Sequence, residues 1–101
     1  MHGQPLSCEE SSAFEACKQA IISQLGINDA EFDEAYLFPL QQLIVYNPTI
    51  YPEVEGTHLR VFATDATPKY PSIYIAYTFD DERITLRFAE LKQVDNEQET
   101  I

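Results

Sequence analysis

Ile73-Tyr74-Ile75-Ala76-Tyr77-Thr78-Phe79-Asp80-Asp81-Glu82-Arg83-Ile84-Thr85-Leu86-Arg87-Phe88 reads as two β-strands and the turn that joins them. Apolar side chains recur at every second position, as a half-buried strand requires. Ile73, Ile75, Tyr77 and Phe79 share one face, and Ile84, Leu86 and Phe88 share the matching one. If Asp81-Glu82 is a two-residue loop, Asp80 faces Arg83. Phe79 then pairs with Ile84, Tyr77 with Leu86, Ile75 with Phe88, and Ala76 with Arg87. A slip of one residue would break this agreement, because it sends every side chain to the opposite face. A four-residue loop gives the same pairing, and Asp-Glu has little taste for the positive φ of a two-residue turn.

Upstream, His58 to Thr64 alternates as well, with Leu59, Val61 and Ala63 on one side and His58, Arg60 and Phe62 on the other. The connection from Thr64 to Ser72 is rich in Pro, Thr and Asp, and Pro48, Pro52 and Gly56 break the chain before it. The first half has helical spacing instead. Ser12-Ala-Phe-Glu15 fits a capping box. Phe14, Cys17, Ile21, Ile22 and Leu25 then fall on one helical face, and Gly26 stands where a left-handed cap belongs. Asn28-Asp29 opens a second helix whose stripe is Phe32, Tyr36, Leu40, Leu43 and Ile44. Pro39 predicts a kink there, or a break with Pro39 in the first turn of a third helix. Residues 1–7 read as a loose lead-in, and 95–101 as a disordered acidic tail beyond a single domain of residues 1–94. The predicted fold class is α+β: two helices, or three, packed on an antiparallel meander of residues 58–64, 73–79 and 84–91.

Of the 101 residues, 45% are hydrophobic, enough for a core without disulfide or metal. The net charge of −11 is uneven. Residues 1–55 carry nine acids against Lys18, residues 56–94 balance five acids with five bases, and Asp95, Glu97 and Glu99 close the chain. Phosphate contact needs Lys and Arg, so a nucleic-acid partner is disfavoured outside the neutral half. Cys8 and Cys17 are too few for a disulfide scaffold, and on one helix they would lie about 180° apart. No apolar run approaches the roughly 20 residues of a membrane span, and no signal peptide is evident, so a cytoplasmic protein with reduced thiols is expected. The histidines and cysteines lack metal-ligand spacing, and no glycine-rich phosphate loop occurs, so no metal or cofactor is expected.

Three stretches carry a resemblance. Leu43-Ile44-Val45-Tyr46-Asn47-Pro48, Tyr51-Pro52-Glu53-Val54-Glu55-Gly56-Thr57-His58-Leu59-Arg60-Val61, and the strand–turn–strand from Ile73 to Ile84 are similar to segments of the RelE/ParE superfamily of bacterial toxins. Together they span about half the chain. The resemblance implies helices followed by an antiparallel meander, membership of a type II toxin–antitoxin system of the plasmid-stabilisation kind, and an antitoxin partner. Several features depart from the family. Its members usually open with a strand, where residues 1–7 make a poor one. The nucleases among them carry an arginine on the central strand, where this chain has Tyr74, and basic residues with a Tyr or His after the last strand, where it has only Lys92. Gyrase-poisoning members do not need that nuclease set.

Alternation puts His58, Arg60, Tyr74, Thr85 and Arg87 on the sheet side away from the helices, the one candidate site that the residues build. There Arg87 would stabilise a phosphate, His58 act as acid or base, and Tyr74 stack or donate. Mixed polar residues are equally what an ordinary solvated sheet face carries. Glu53 with Glu55, and Asp80 with Asp81, read as turn formers rather than a carboxylate pair. Tyr46, Tyr51 and Tyr70 flank the linkers, where an aromatic patch or simple packing would place them. Two functions compete: a toxin-fold protein without efficient ribonuclease activity, and a non-enzymatic interaction module that binds a protein partner or itself as a homodimer.

Overall fold

A computed structural model describes residues 6–92. The elements run β1 (Ser7–Glu10), α1 (Ser12–Leu25), α2 (Asp29–Phe32), a π-helical turn (Asp33–Leu37), α3 (Phe38–Ile44), β2 (Arg60–Ala63), β3 (Ile73–Phe79) and β4 (Arg83–Leu91). The strands form one four-stranded sheet in the order β1-β4-β3-β2. The helices pack on one face, so the α+β class holds. The sheet is mixed, because β1 runs parallel to β4 while the other pairs are antiparallel.

The opening strand corrects the expectation of a loose lead-in over residues 1–7, of which Leu6 and Ser7 are described. Leu6 is buried and its amide donates to the Val45 carbonyl at 2.9 Å. Ser7 to Glu10 then pair with Arg83 to Leu86. Ser-Cys-Glu-Glu carries little apolar signal because β1 is a short edge strand: Ser7 and Glu9 are exposed, while Cys8 and Glu10 turn half-buried toward the core side. Cys8 therefore lies on a strand and Cys17 on α1, not both on one helix. The expected disordered tail, 95–101, lies outside the described residues.

The cap of α1 is Ser11, one residue before the expected Ser12. Its hydroxyl accepts from the Phe14 amide at 3.0 Å, while its own amide donates to the Leu86 carbonyl and ends β1. One residue thus closes a strand and opens a helix. Gly26 (φ 71°) closes α1 in the left-handed region, and Asn28 caps α2 by accepting from the Glu31 amide at 2.8 Å.

Pro39 sits in the first turn of α3, and the turn before it widens: the Phe38 amide donates to the Asp33 carbonyl, five residues back. The buried residues explain the widening. Phe32, Tyr36, Leu40 and Ile44 are all buried and spaced strictly by four. On a regular α-helix that spacing drifts by about 40° per step. The wider turn takes up part of the drift and also accommodates the proline without an N–H. Leu43, expected in this stripe, is instead 43% exposed, and Leu37 is buried.

The β3–β4 register follows the expected pairing only as far as Tyr77 with Leu86. A bulge follows, so Ala76 faces Phe88 and Ile75 faces Ala89. The expected Ile75–Phe88 and Ala76–Arg87 pairs do not form. Ala89 is buried and Phe88 is 48% exposed. Strand β4 lies under α1, where a small residue admits the helix and a phenylalanine would hold it away. The parity of the sequence carries this bulge. Inward residues Ile84 and Leu86 are even-numbered, whereas Ala89 and Leu91 are odd, and an inserted residue is what changes phase.

Among the described residues, Lys18 is the one buried charged residue. Lys18 lies on the buried face of α1 between Phe14 and Ile21. Its Nζ is 3.0 Å from Asp33 Oδ1 and 3.7 Å from Glu10 Oε2, and it stands 5.7 Å over the Phe32 ring. It therefore ties β1, α1 and the π turn together. Burial pulls its pKa down, but the Asp33 hydrogen bond and the charges of Glu10, Asp33 and Asp29 outweigh this, so Lys18 stays charged above the usual lysine range.

Candidate functional site

The sheet face away from the helices is the place to look for a site, since the opposite face is the core. Tyr74, Ala76 and Thr78 of β3 point outward, because Ile73, Ile75 and Tyr77 alternate with them and are fully buried. Across β2, Val61 pairs with Ala76 and Ala63 with Tyr74. Across β4, Glu90 pairs with Tyr74 and Phe88 with Ala76, and the bulge leaves both Arg87 and Phe88 exposed. Val61, Tyr74, Ala76 and Phe88 line an open hollow of about 380 Å³, with Glu90 at its edge. Lys92 Nζ stands 5.9 Å from the Tyr74 ring centroid, and Arg87 Nε donates to Thr78 Oγ1 at 3.0 Å.

The four candidate residues do not assemble. Tyr74 and Arg87 are on the outer face, with Thr85 beside Thr78. Arg60 is on the inner face, as its pairing with buried Tyr77 requires. Its guanidinium donates to the Tyr51 carbonyl at 2.5 Å, lies 3.7 Å from Glu53 and covers the Phe79 ring at 5.5 Å. Arg60 thus packs the end of the core and offers nothing to a phosphate on the other side. His58 precedes β2 with its side chain 95% exposed, and among the described residues its one ion-pair partner is Glu53 at 3.8 Å. An acid–base group must stand within hydrogen-bond reach of the proton it moves. His58, before β2, and Arg87, on β4, belong to strands separated by β3.

The remaining candidates have structural work. Asp80 accepts from the amides of Glu82 and Arg83 at 2.8 and 3.0 Å, which closes the hairpin and holds its carboxyl below the usual aspartate value. The tyrosines do not form one patch. Tyr51 packs on Phe62, Tyr70 meets Tyr36 edge-on and donates to Glu31 at 2.5 Å, and Tyr46 is exposed. Tyr36 and Tyr77 donate to the carbonyls of Pro71 and Pro48 at 2.6 and 2.7 Å, which pins both linkers to the core. Burial raises the Cys8 thiol to about 11, against a hydrogen bond with Gln41 and with help from Glu10 and Glu9, so at neutral pH it is no nucleophile.

What the sequence reading missed is Phe88. Taken as core, it is the centre of the exposed face, and the parity change along β4 is the signal that would have found it. Among the described residues, no helix is long and apolar enough to cross a membrane. No protein-family model matches the chain, and no curated protein matches it.

Proposed function

We propose that this chain is a RelE/ParE-like protein that works by contact with protein and does not cleave RNA. The observation that carries this reading is the separation of the would-be catalytic groups. Arg60 is committed to Tyr51, Glu53 and Phe79 on the inner face, His58 stands apart, and the outer face is centred on Phe88 and Tyr74. RNA cleavage by attack of the 2′-hydroxyl, which displaces the 5′-oxygen, needs an acid, a base and fixed cations around one phosphate, and such groups act only when preorganised together. A face of exposed aromatic and aliphatic side chains suits a protein surface instead. Purified chain incubated with messenger RNA, with and without ribosomes, is expected to leave it intact. Cleavage that disappears in Arg87→Ala or His58→Ala would overturn this reading.

A second reading places the chain as the toxin of a type II toxin–antitoxin pair whose target is a protein. The strand β1 favours it, since an opening strand is the family feature that residues 1–7 did not promise. Controlled expression in a bacterial host, with growth, translation and DNA supercoiling followed, separates the two. Arrest with supercoiling lost and translation intact supports the toxin, and unimpaired growth supports the plain interaction module.

A further inference from the structure

We infer that the outer face of the sheet closes against the same face of a second copy, giving a two-fold homodimer. This rests on the reading above that protein occupies that face, and it names the protein. The helices lie on the other side, and among the described residues no element packs over Val61, Tyr74, Ala76 and Phe88.

Charge points to a second copy. A chain of net charge −11 repels itself, so copies can meet only where that charge is absent. Residues 56–94, which supply the outer face of β2, β3 and β4, are neutral; of the excess acids in residues 1–55, Glu9 reaches this face on β1 beside β4, where it is paired with Arg83 at 3.7 Å. Within this neutral face, Arg87 and Glu90 make no ion pair among the described residues, although they stand three positions apart on one strand. Unpaired charges of opposite sign, on either side of an apolar centre, are self-complementary. A two-fold axis lying in the face, perpendicular to β4 and level with Phe88 and Ala89, stacks β4 antiparallel on its copy. It sets each Arg87 opposite a Glu90 and each Phe88 over the partner's hollow.

Three strands at about 4.8 Å spacing and the seven residues of β3 at about 3.3 Å rise give the face roughly 14 by 23 Å. That is at the small end of specific interfaces, which suits a concentration-dependent dimer. Residues 93–101 are a poorer occupant. They hold three acids and only Val94 and Ile101 as apolar residues, with no aromatic ring.

Light scattering on the full chain across a concentration series tests the proposal. The mass is expected to rise from 11.6 kDa to twice that value. Phe88→Glu should weaken association about tenfold or more while leaving the circular dichroism spectrum, and the melt at low protein concentration, near wild type, because the side chain is exposed. Arg87→Glu and Glu90→Arg should each weaken it, and the double swap should restore it. Chain ending at Lys92 should still dimerise. A monomer at the highest soluble concentration overturns the proposal. So does a dimer indifferent to Phe88→Glu, a double swap no better than either single one, or a dimer lost with residues 93–101. None of these outcomes touches the RNA result, so the two readings fail separately.

Discussion

Replacing Ile75 and Phe88 one at a time by alanine measures the bulge directly. Ile75 is fully buried at the centre of β3, whereas Phe88 is 48% exposed. Ile75→Ala removes three carbons, worth roughly 2.4 kcal/mol at about 0.8 kcal/mol per buried methylene. A residual cavity of roughly 50 Å³ adds about 1 kcal/mol. The expected loss is therefore about 3.5 kcal/mol, or a melting point lower by roughly 15–25 °C in a domain of this size. Phe88→Ala exposes no core and should cost about 1 kcal/mol or less. Thr78→Ala, which loses only the bond from Arg87, should cost about 0.5 kcal/mol. Urea denaturation at low protein concentration is the assay, so that association adds nothing to apparent stability. An unchanged slope would show that only stability has moved. Equal losses for Ile75→Ala and Phe88→Ala would mean that Phe88 is inside, that the strands pair without the bulge, and that the outer face lacks its centre.

Three further outcomes are expected. Lys18→Met leaves Asp33 and Glu10 facing an apolar side chain, and should cost about 1–3 kcal/mol, discounted because both carboxylates are partly exposed. Since the folded Lys18 pKa is raised, its contribution is full below the ordinary lysine value and is lost only as pH rises through the raised one, so wild type and variant should converge at high alkaline pH. Tyr77→Phe should cost about 1–2 kcal/mol by leaving the Pro48 carbonyl unpaired; burial lifts Tyr77 from 10.0 to about 12, so wild-type stability falls with rising pH across that window, and melts of the variant should show a flatter decline. Gly26→Ala should cost about 1 kcal/mol from the left-handed backbone alone, since a Cβ there meets nothing within 4 Å, and a thermal melt reads it directly.

Much of the architecture was legible in the sequence because it rests on local rules. The alternation in 73–79 and 84–86, the Asp80 turn, the Asn28 cap and the Gly26 cap each depend on residues a few positions apart, and each lies where spacing predicts. Tertiary contact decided the rest. Strand β1 exists because β4 offers it an edge, which the polar Ser-Cys-Glu-Glu cannot announce. Lys18 is tolerated on the core face because Asp33 and Glu10 arrive from other elements. Leu43 is displaced outward because the helical stripe turns within a widened segment. The candidate site changed for the same reason. Alternation alone grouped Arg60 with Tyr74 and Arg87, but which side of a strand faces the helices depends on its partner's register, and Arg60 opposite Tyr77 is an inner residue. One inserted residue on β4 then moved Phe88 outward, since side chains alternate strictly and any change of phase along a strand exchanges its faces.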